Sequence, residues 1–178
     1  KFTDNSGNSL GSFNPNELAI SSTYARKLTD NMSSAIAIRY IYSNLTGGQQ
    51  VGTLPTEAGQ SIAGDVAAFY TKPIRLGSQN ADFSLGLNIS NIGSKIAYTE
   101  TTVRDFIPTN LRFGTALTTA IDNYNKISFE VDFNKLLVPT PPQYNDDGEI
   151  IAGMDPDVSV VSGIFQSFGD APGGAKEE

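Results

Sequence analysis

Ile127-Ser128-Phe129-Glu130-Val131-Asp132-Phe133-Asn134 alternates without a break between large apolar and polar side chains. Alternation with period two marks a strand whose two faces meet different surroundings. One face here is wholly apolar and the other carries two carboxylates and an amide, so a slip of one residue would invert both. The pattern recurs in Phe83-Ser84-Leu85-Gly86-Leu87-Asn88-Ile89-Ser90 and in Leu111-Arg112-Phe113-Gly114-Thr115-Ala116-Leu117. Nearer the start, Leu18, Ile20 and Tyr24 share one face. Ile36, Ile38, Tyr40 and Tyr42 share a face of the next segment, with Arg39 opposite them. Between Ile62 and Tyr70 alanine and glycine dilute the contrast, but Asp65 marks the polar side.

Strands are therefore expected near residues 17–28, 34–44, 61–72, 82–92, 110–121 and 126–137. At roughly 9 to 14 residues they exceed the usual 5 or 6 of globular sheets and approach the 9 to 11 that cross a bilayer at a tilt. The connections alternate too. Compact turns are expected at Thr29-Asp30-Asn31-Met32, around Leu76-Gly77-Ser78-Gln79-Asn80, and at Asp122-Asn123-Tyr124-Asn125; long loops cover residues 44–60 and 91–110 and follow Leu137. Short turns at one rim and long loops at the other are the pattern of an outer-membrane barrel. A soluble β-sandwich would alternate along its strands without requiring that regularity. Tyr24, Tyr42, Tyr70 and Tyr98, near segment ends, are expected to form an aromatic girdle at the membrane interfaces. The fold class read from these features is all-β, an antiparallel transmembrane barrel with one short loop helix.

Composition closes off other classes. Of 178 residues 39% are hydrophobic, but Gly, Asn, Ser or Thr interrupts every apolar run, so no helix of about 18 to 20 apolar residues is available to span a membrane. With no Cys and no His, disulfides, thiol nucleophiles, Ser-His catalysis and the common zinc sets are absent. No cofactor is expected. A net charge of -7 without a basic stripe argues against nucleic acid as a partner. The chain opens at Lys1 without a signal peptide, which is expected to have been removed or to lie outside an excerpt.

In a barrel, Arg39, Asp65, Asn88, Arg112, Glu130 and Asp132 would face the lumen. They would line a solute path or neutralise one another inside a filled barrel, and the second is favoured. Glu130 and Asp132 face the same way, as paired catalytic carboxylates would, but nothing else site-like accompanies them.

Val138-Pro139-Thr140-Pro141-Pro142-Gln143-Tyr144 reads as a stiff spacer in preference to a polyproline ligand. Asn145-Asp146-Asp147-Gly148-Glu149 and Asp155-Pro156-Asp157 read as solvated acidic loops, because their spacing does not fit a calcium-binding loop. Val161, Ile164, Phe165 and Phe168 fall at helical spacing near residues 159–168, with Ser159 or Asp157 as cap and Gly169 as stop. The apolar face of that helix either packs on the barrel rim, the favoured expectation, or meets a partner. Phe106-Ile107-Pro108 poses the same choice. Phe106, Ile107, Pro108, Ile164, Phe165 and Phe168 are thus the candidate partner-contacting loop residues.

Four blocks carry a family resemblance: Asn16-Glu17-Leu18-Ala19-Ile20-Ser21-Ser22-Thr23-Tyr24-Ala25-Arg26-Lys27-Leu28, Phe106-Ile107-Pro108-Thr109-Asn110-Leu111-Arg112, Phe133-Asn134-Lys135-Leu136-Leu137-Val138-Pro139-Thr140-Pro141-Pro142, and Val160-Val161-Ser162-Gly163-Ile164-Phe165-Gln166-Ser167-Phe168. With them the chain resembles the PorV family, outer-membrane proteins of the type IX secretion system of Bacteroidota. The resemblance implies a FadL-like barrel of about fourteen strands, set in outer-membrane lipid with its loops facing the cell exterior. It also implies a non-enzymatic role: association with the translocon barrel, receipt of secreted cargo through its C-terminal signal domain, and delivery to the cell-surface attachment complex. The fold alone offers an alternative, a FadL-like channel for small hydrophobic solutes. An enzyme acting on lipid or peptide is disfavoured by the missing His. Six strands fall below the eight or so of the smallest closed barrels, and an open sheet would leave unsatisfied edges in lipid. The chain is therefore expected to be a stretch of a longer protein.

Overall fold

The computed structural model describes residues 2–3, 6–7, 9–11, 14–48, 55–77, 79–99 and 104–174. A small pair, β1 (Phe2–Thr3) and β2 (Ser9–Gly11), precedes six long strands: β3 (Asn16–Lys27), β4 (Met32–Asn44), β5 (Gly59–Leu76), β6 (Gln79–Gly93), β7 (Asn110–Ala120) and β8 (Lys126–Leu136). A second small pair, β9 (Gln143–Tyr144) and β10 (Ile150–Ala152), and a helix, α1 (Val160–Gln166), complete the chain. The six long strands form one sheet in sequence order, each antiparallel to its neighbours. It does not close on itself: β3 and β8 are its edges among the described residues, so the sheet is a section of barrel wall.

Local chemistry sets the connections. Thr29 closes the first turn, its hydroxyl accepting from the Met32 amide at 3.0 Å, while Asn31 bonds across to the Thr71 carbonyl at 2.7 Å. The β5–β6 hairpin is tighter than expected. Pairing persists through Pro73↔Asp82 to Leu76↔Gln79, and Gly77, at φ 61°, supplies the left-handed turn residue. In the β7–β8 turn Asp122 accepts from the amides of Tyr124 and Asn125, both at 2.8 Å. The Asn125 side chain adds a further bond, and together these hold the Asp122 carboxyl below the usual carboxylate range.

Register decides which residues share a face, because directly opposed residues point the same way. Ser21, Arg39 and Ala63 lie in one cross-strand row, Ala67, Asn88, Arg112 and Asn134 in another, and Asp132 and Glu130 continue that face on β8. The opposite face carries Leu18, Ile20, Ile36, Ile38, Val66, Leu87, Phe113, Phe129 and Phe133, all exposed, Phe129 at 71%. A continuous apolar face of this extent meets something other than water.

One irregularity interrupts the ladder. Gly64 opposes Ile92 but Val66 opposes Ile89, so Ser90 and Asn91 together span the position of Asp65. Asn91 has φ 58°, the one non-Gly positive value among the described residues. This is a β-bulge whose extra residue takes the left-handed conformation that Asn tolerates.

The buried cluster lies on the polar face. After β6, residues 94–99 and 104–109 turn back over the sheet, Ile96 bridging to Asp105, and place Ile96 and Ile107 on Ala63, with Ile41 and Tyr98 at the margin. Tyr98 therefore does not join a girdle: its hydroxyl donates to Ser43 at 3.0 Å beneath the folded loop. Tyr24, Tyr42 and Tyr70 stay on the apolar face, and Tyr70, opposite Met32, is level with the start of β4.

Candidate functional site

Arg39 and Asp65 sit on adjacent strands of the polar face, offset by two residues from direct opposition. Their side chains pair at 2.9 Å and are largely covered. Arg39 also donates to the Ser21 hydroxyl at 3.0 Å and to the Asn91 side-chain oxygen. The second Asp65 oxygen accepts the Asn91 amide at 2.8 Å. The bulge thus presents an N–H to a carboxylate that a regular ladder would not reach. From Asn91 the network runs into the loop: its side-chain nitrogen donates to the Pro108 carbonyl at 3.1 Å, and the Thr109 hydroxyl donates to the Asn91 carbonyl at 2.7 Å. Thr109 is 1% exposed. A buried charge kept this close to opposite charge and to donors offsets much of its desolvation cost.

The same face looks different toward β8. Arg112 is exposed and bonds the Asn134 side chain at 2.9 Å. Glu130 and Asp132 are exposed and border a shallow hollow of about 230 Å³ with Phe69, Gly86 and Gly114. Asp132 leans over Gly114, into the space a Cβ would occupy. Asn88 is half-buried between Ala67 and Arg112 in its cross-strand row. The six expected lumen residues therefore share a face, but only Arg39 and Asp65 meet one another.

The loop candidates divide as sharply. Ile107 is 5% exposed and packs on the sheet, which removes it as a partner contact. Phe106 is half-buried, with the Lys95 ammonium 4.4 Å from its ring centroid, and Pro108 is exposed. Lys95 also pairs with Asp157 at 3.2 Å, beside a pocket of about 480 Å³ that includes Phe106 and Pro139.

In α1 Ser159 is the N-cap, accepting from the Ser162 amide. The helix docks through its small residues. Gly163 is buried against Phe106 and Pro139, so closely that a Cβ would strike both, and the next turn presents buried Ser167. Val161 and Phe165 on the helix point away, Phe165 at 74% exposure, Ile164 is half-buried, and Phe168 just beyond the helix is exposed but turns its ring toward the Lys135 ammonium of β8, 5.4 Å from the ring centroid. The expectation that the apolar stripe packs on the rim is overturned for Val161 and Phe165: the helix docks through a glycine, because only it lets the helix backbone approach the proline and the ring. The Pro-rich segment serves as that platform and is fastened from below by Asp170, which is 1% exposed and accepts from the Thr140 amide at 2.8 Å. Asn145, read as part of an acidic loop, uses its side-chain oxygen to close the β9–β10 turn on the Glu149 amide at 2.7 Å.

Asn91, Thr109, Gly163 and Asp170 were not singled out from the sequence. Only the first left a signal: the apolar positions 83, 85, 87 and 89 are followed by Ile92, a shift of phase that marks the bulge.

The sequence model of one protein family, described as "Type IX secretion system protein PorV", matches residues 2–143. Among curated proteins no match was found. The matched span covers all six long strands, the Arg39–Asp65–Asn91 network and the loop folded over it; α1 lies beyond it. On that match, together with the open antiparallel sheet and its exposed apolar face, the chain belongs to the PorV family, outer-membrane components of the type IX secretion system.

Proposed function

We propose that the protein acts without catalysis as the type IX component that associates with the translocon barrel, receives cargo through its C-terminal signal domain and hands it to the cell-surface attachment complex, with its long loops facing the cell exterior. The family membership carries this reading. The absence of His and Cys from the chain supports a non-enzymatic role. The exposed row Val161, Phe165 and Phe168, at the rim of the long loops, is the partner surface that this reading selects; aromatic side chains displayed on a rigid platform suit a protein contact. A channel for small hydrophobic solutes has less support, since Ile96, Tyr98 and Ile107 lie on the polar face such a path would use.

The test is a photo-crosslinking amino acid at Phe165 in intact cells. The expected result is capture of the translocon barrel or of a cargo signal domain. Secretion proceeding normally with neither captured from position 165 or 168 would sink the assignment of this surface.

A further inference from the structure

We infer that residues 94–99 and 104–109 form a built-in plug on the polar face of the barrel wall, latched by Arg39, Asp65 and Asn91, and that the latched plug closes the wall to small solutes. This does not depend on which partners the protein has.

The loop is fastened at its roots, its middle and toward its tip. At one root the Ser94 amide donates to the Ile62 carbonyl at 3.0 Å, and the Ser61 hydroxyl donates to the Ser94 carbonyl at 2.7 Å. At the other, Thr109 and Pro108 are bonded to Asn91, and the Leu137 amide donates to the Thr109 carbonyl at 2.7 Å. In the middle, Ile96 and Ile107 cover Ala63. Toward the tip, Tyr98 reaches Ser43, which in turn donates to Glu17 at 2.7 Å, while the Tyr98 carbonyl accepts the Glu57 amide at 2.9 Å. The strands are shaped to receive it. A Cβ on Gly59 would strike Ile96 and Tyr98, and one on Gly93 would strike Ile107 and the Ile62 and Ala63 backbone. Loops that serve only as binding surfaces do not need glycine clearance in the wall beneath them or a left-handed bulge residue to root them.

The latch is the Arg39–Asp65–Asn91 triangle because it joins two strands, the bulge and the loop root through charge-assisted bonds. Removing the Asp65 carboxylate strands Arg39 and frees the Asn91 amide in one change.

The experiment uses the intact protein reconstituted into planar lipid bilayers, with folding verified by heat-modifiable gel mobility. Native protein is expected to show no sustained conductance. Asp65→Ala, which cuts the latch, and Gly59→Val, which displaces the plug without touching the latch, are both expected to conduct. Glu130→Gln, on the same face but with no bond to the loop, is expected to stay closed. In the folded Asp65→Ala protein, amides of residues 94–99 and 104–109 are expected to exchange at least about tenfold faster than in the native one. Steady conductance of the native protein would overturn the plug. So would folded variants that stay closed although the loop exchanges faster, and unchanged exchange in Asp65→Ala would overturn the latch. If Asp65→Ala does not fold, Gly59→Val decides: closed, it refutes the plug.

Discussion

Arg39 and Arg112 stand on the same face of one sheet and live in different chemistry. Arg39 is held by Ser21, Asp65 and Asn91 under a folded loop, whereas Arg112 lies exposed with Asn134 as its side-chain partner. Asp65 is engaged through both oxygens; Glu130 and Asp132 make no hydrogen bond or ion pair with other described residues. The difference teaches where charge must be neutralised inside this wall. Under residues 94–99 and 104–109 water is displaced, so an unpaired charge would carry a desolvation cost, and Arg39 and Asp65 have found partners there. Toward β8 nothing in the described chain covers the face, and carboxylates remain solvated at little cost.

Four comparisons would break or sharpen that contrast. The largest effect is expected between two glycines of β6. Gly93→Val drives a side chain into the Ile62 and Ala63 backbone and into Ile107, and should destabilise the folded protein in micelles by about 3 kcal/mol or more in urea titrations, at or above the usual range for overpacking. Gly86→Ala meets nothing within 4 Å and should be neutral or stabilising by up to about 1 kcal/mol. Equal losses at both positions would mean that the covered and open regions do not differ in packing.

Next come the arginines. Arg39→Gln should cost about 2 kcal/mol, as expected for losing charge-assisted bonds while Asp65 stays covered, and Arg112→Gln less than about 0.5 kcal/mol. The same unfolding measurement compares them. Asn91 separates side chain from backbone: Asn91→Gly keeps the φ 58° conformation and loses only the bonds, while Asn91→Ala should lose about 1 kcal/mol more, the penalty of an L side chain in the left-handed region. A match between the two variants would show that the bulge relaxes without cost.

The smallest effect lies in the open half. Asp122 is held below its ordinary pKa by Asn125 and the turn amides, so its folded form binds protons less readily than the unfolded chain. The stabilisation of the β7–β8 turn is therefore full above the unfolded Asp pKa of about 3.9 and fades as pH falls through the lower folded value. Amide exchange at Tyr124 and Asn125, corrected for intrinsic rates, should rise relative to Asp122→Asn only in that acidic window. A rise that begins near neutrality would point to another group.

How much of this was readable beforehand follows from the range of each interaction. The strands and their faces were legible because alternation is local: Phe129, Val131 and Phe133 face away from Glu130 and Asp132 whatever the rest of the chain does. The bulge left a trace in the shift of phase between Ile89 and Ile92, but was not read from it. The destination of Ile107 was not, since Phe106-Ile107-Pro108 would read alike in a loop turned outward or inward. Nor was the orientation of α1. An apolar stripe at helical spacing says that a stripe exists, not what covers it, and the docking face was the inconspicuous Gly163.

The amino-acid sequence by itself determined an all-β wall with one apolar and one charged face, because a period of two is enforced by the backbone of every strand. It also determined the family, whose sequence model matches residues 2–143. Only the tertiary structure decided that the loop after β6 folds onto the charged face, that Arg39, Asp65 and Asn91 meet there, and that α1 turns Phe165 outward. Those contacts join residues separated by 26 and 52 positions in the chain. The loop's seat on the sheet uses the space that Gly59 and Gly93 leave open, and that space exists only once the strands have paired.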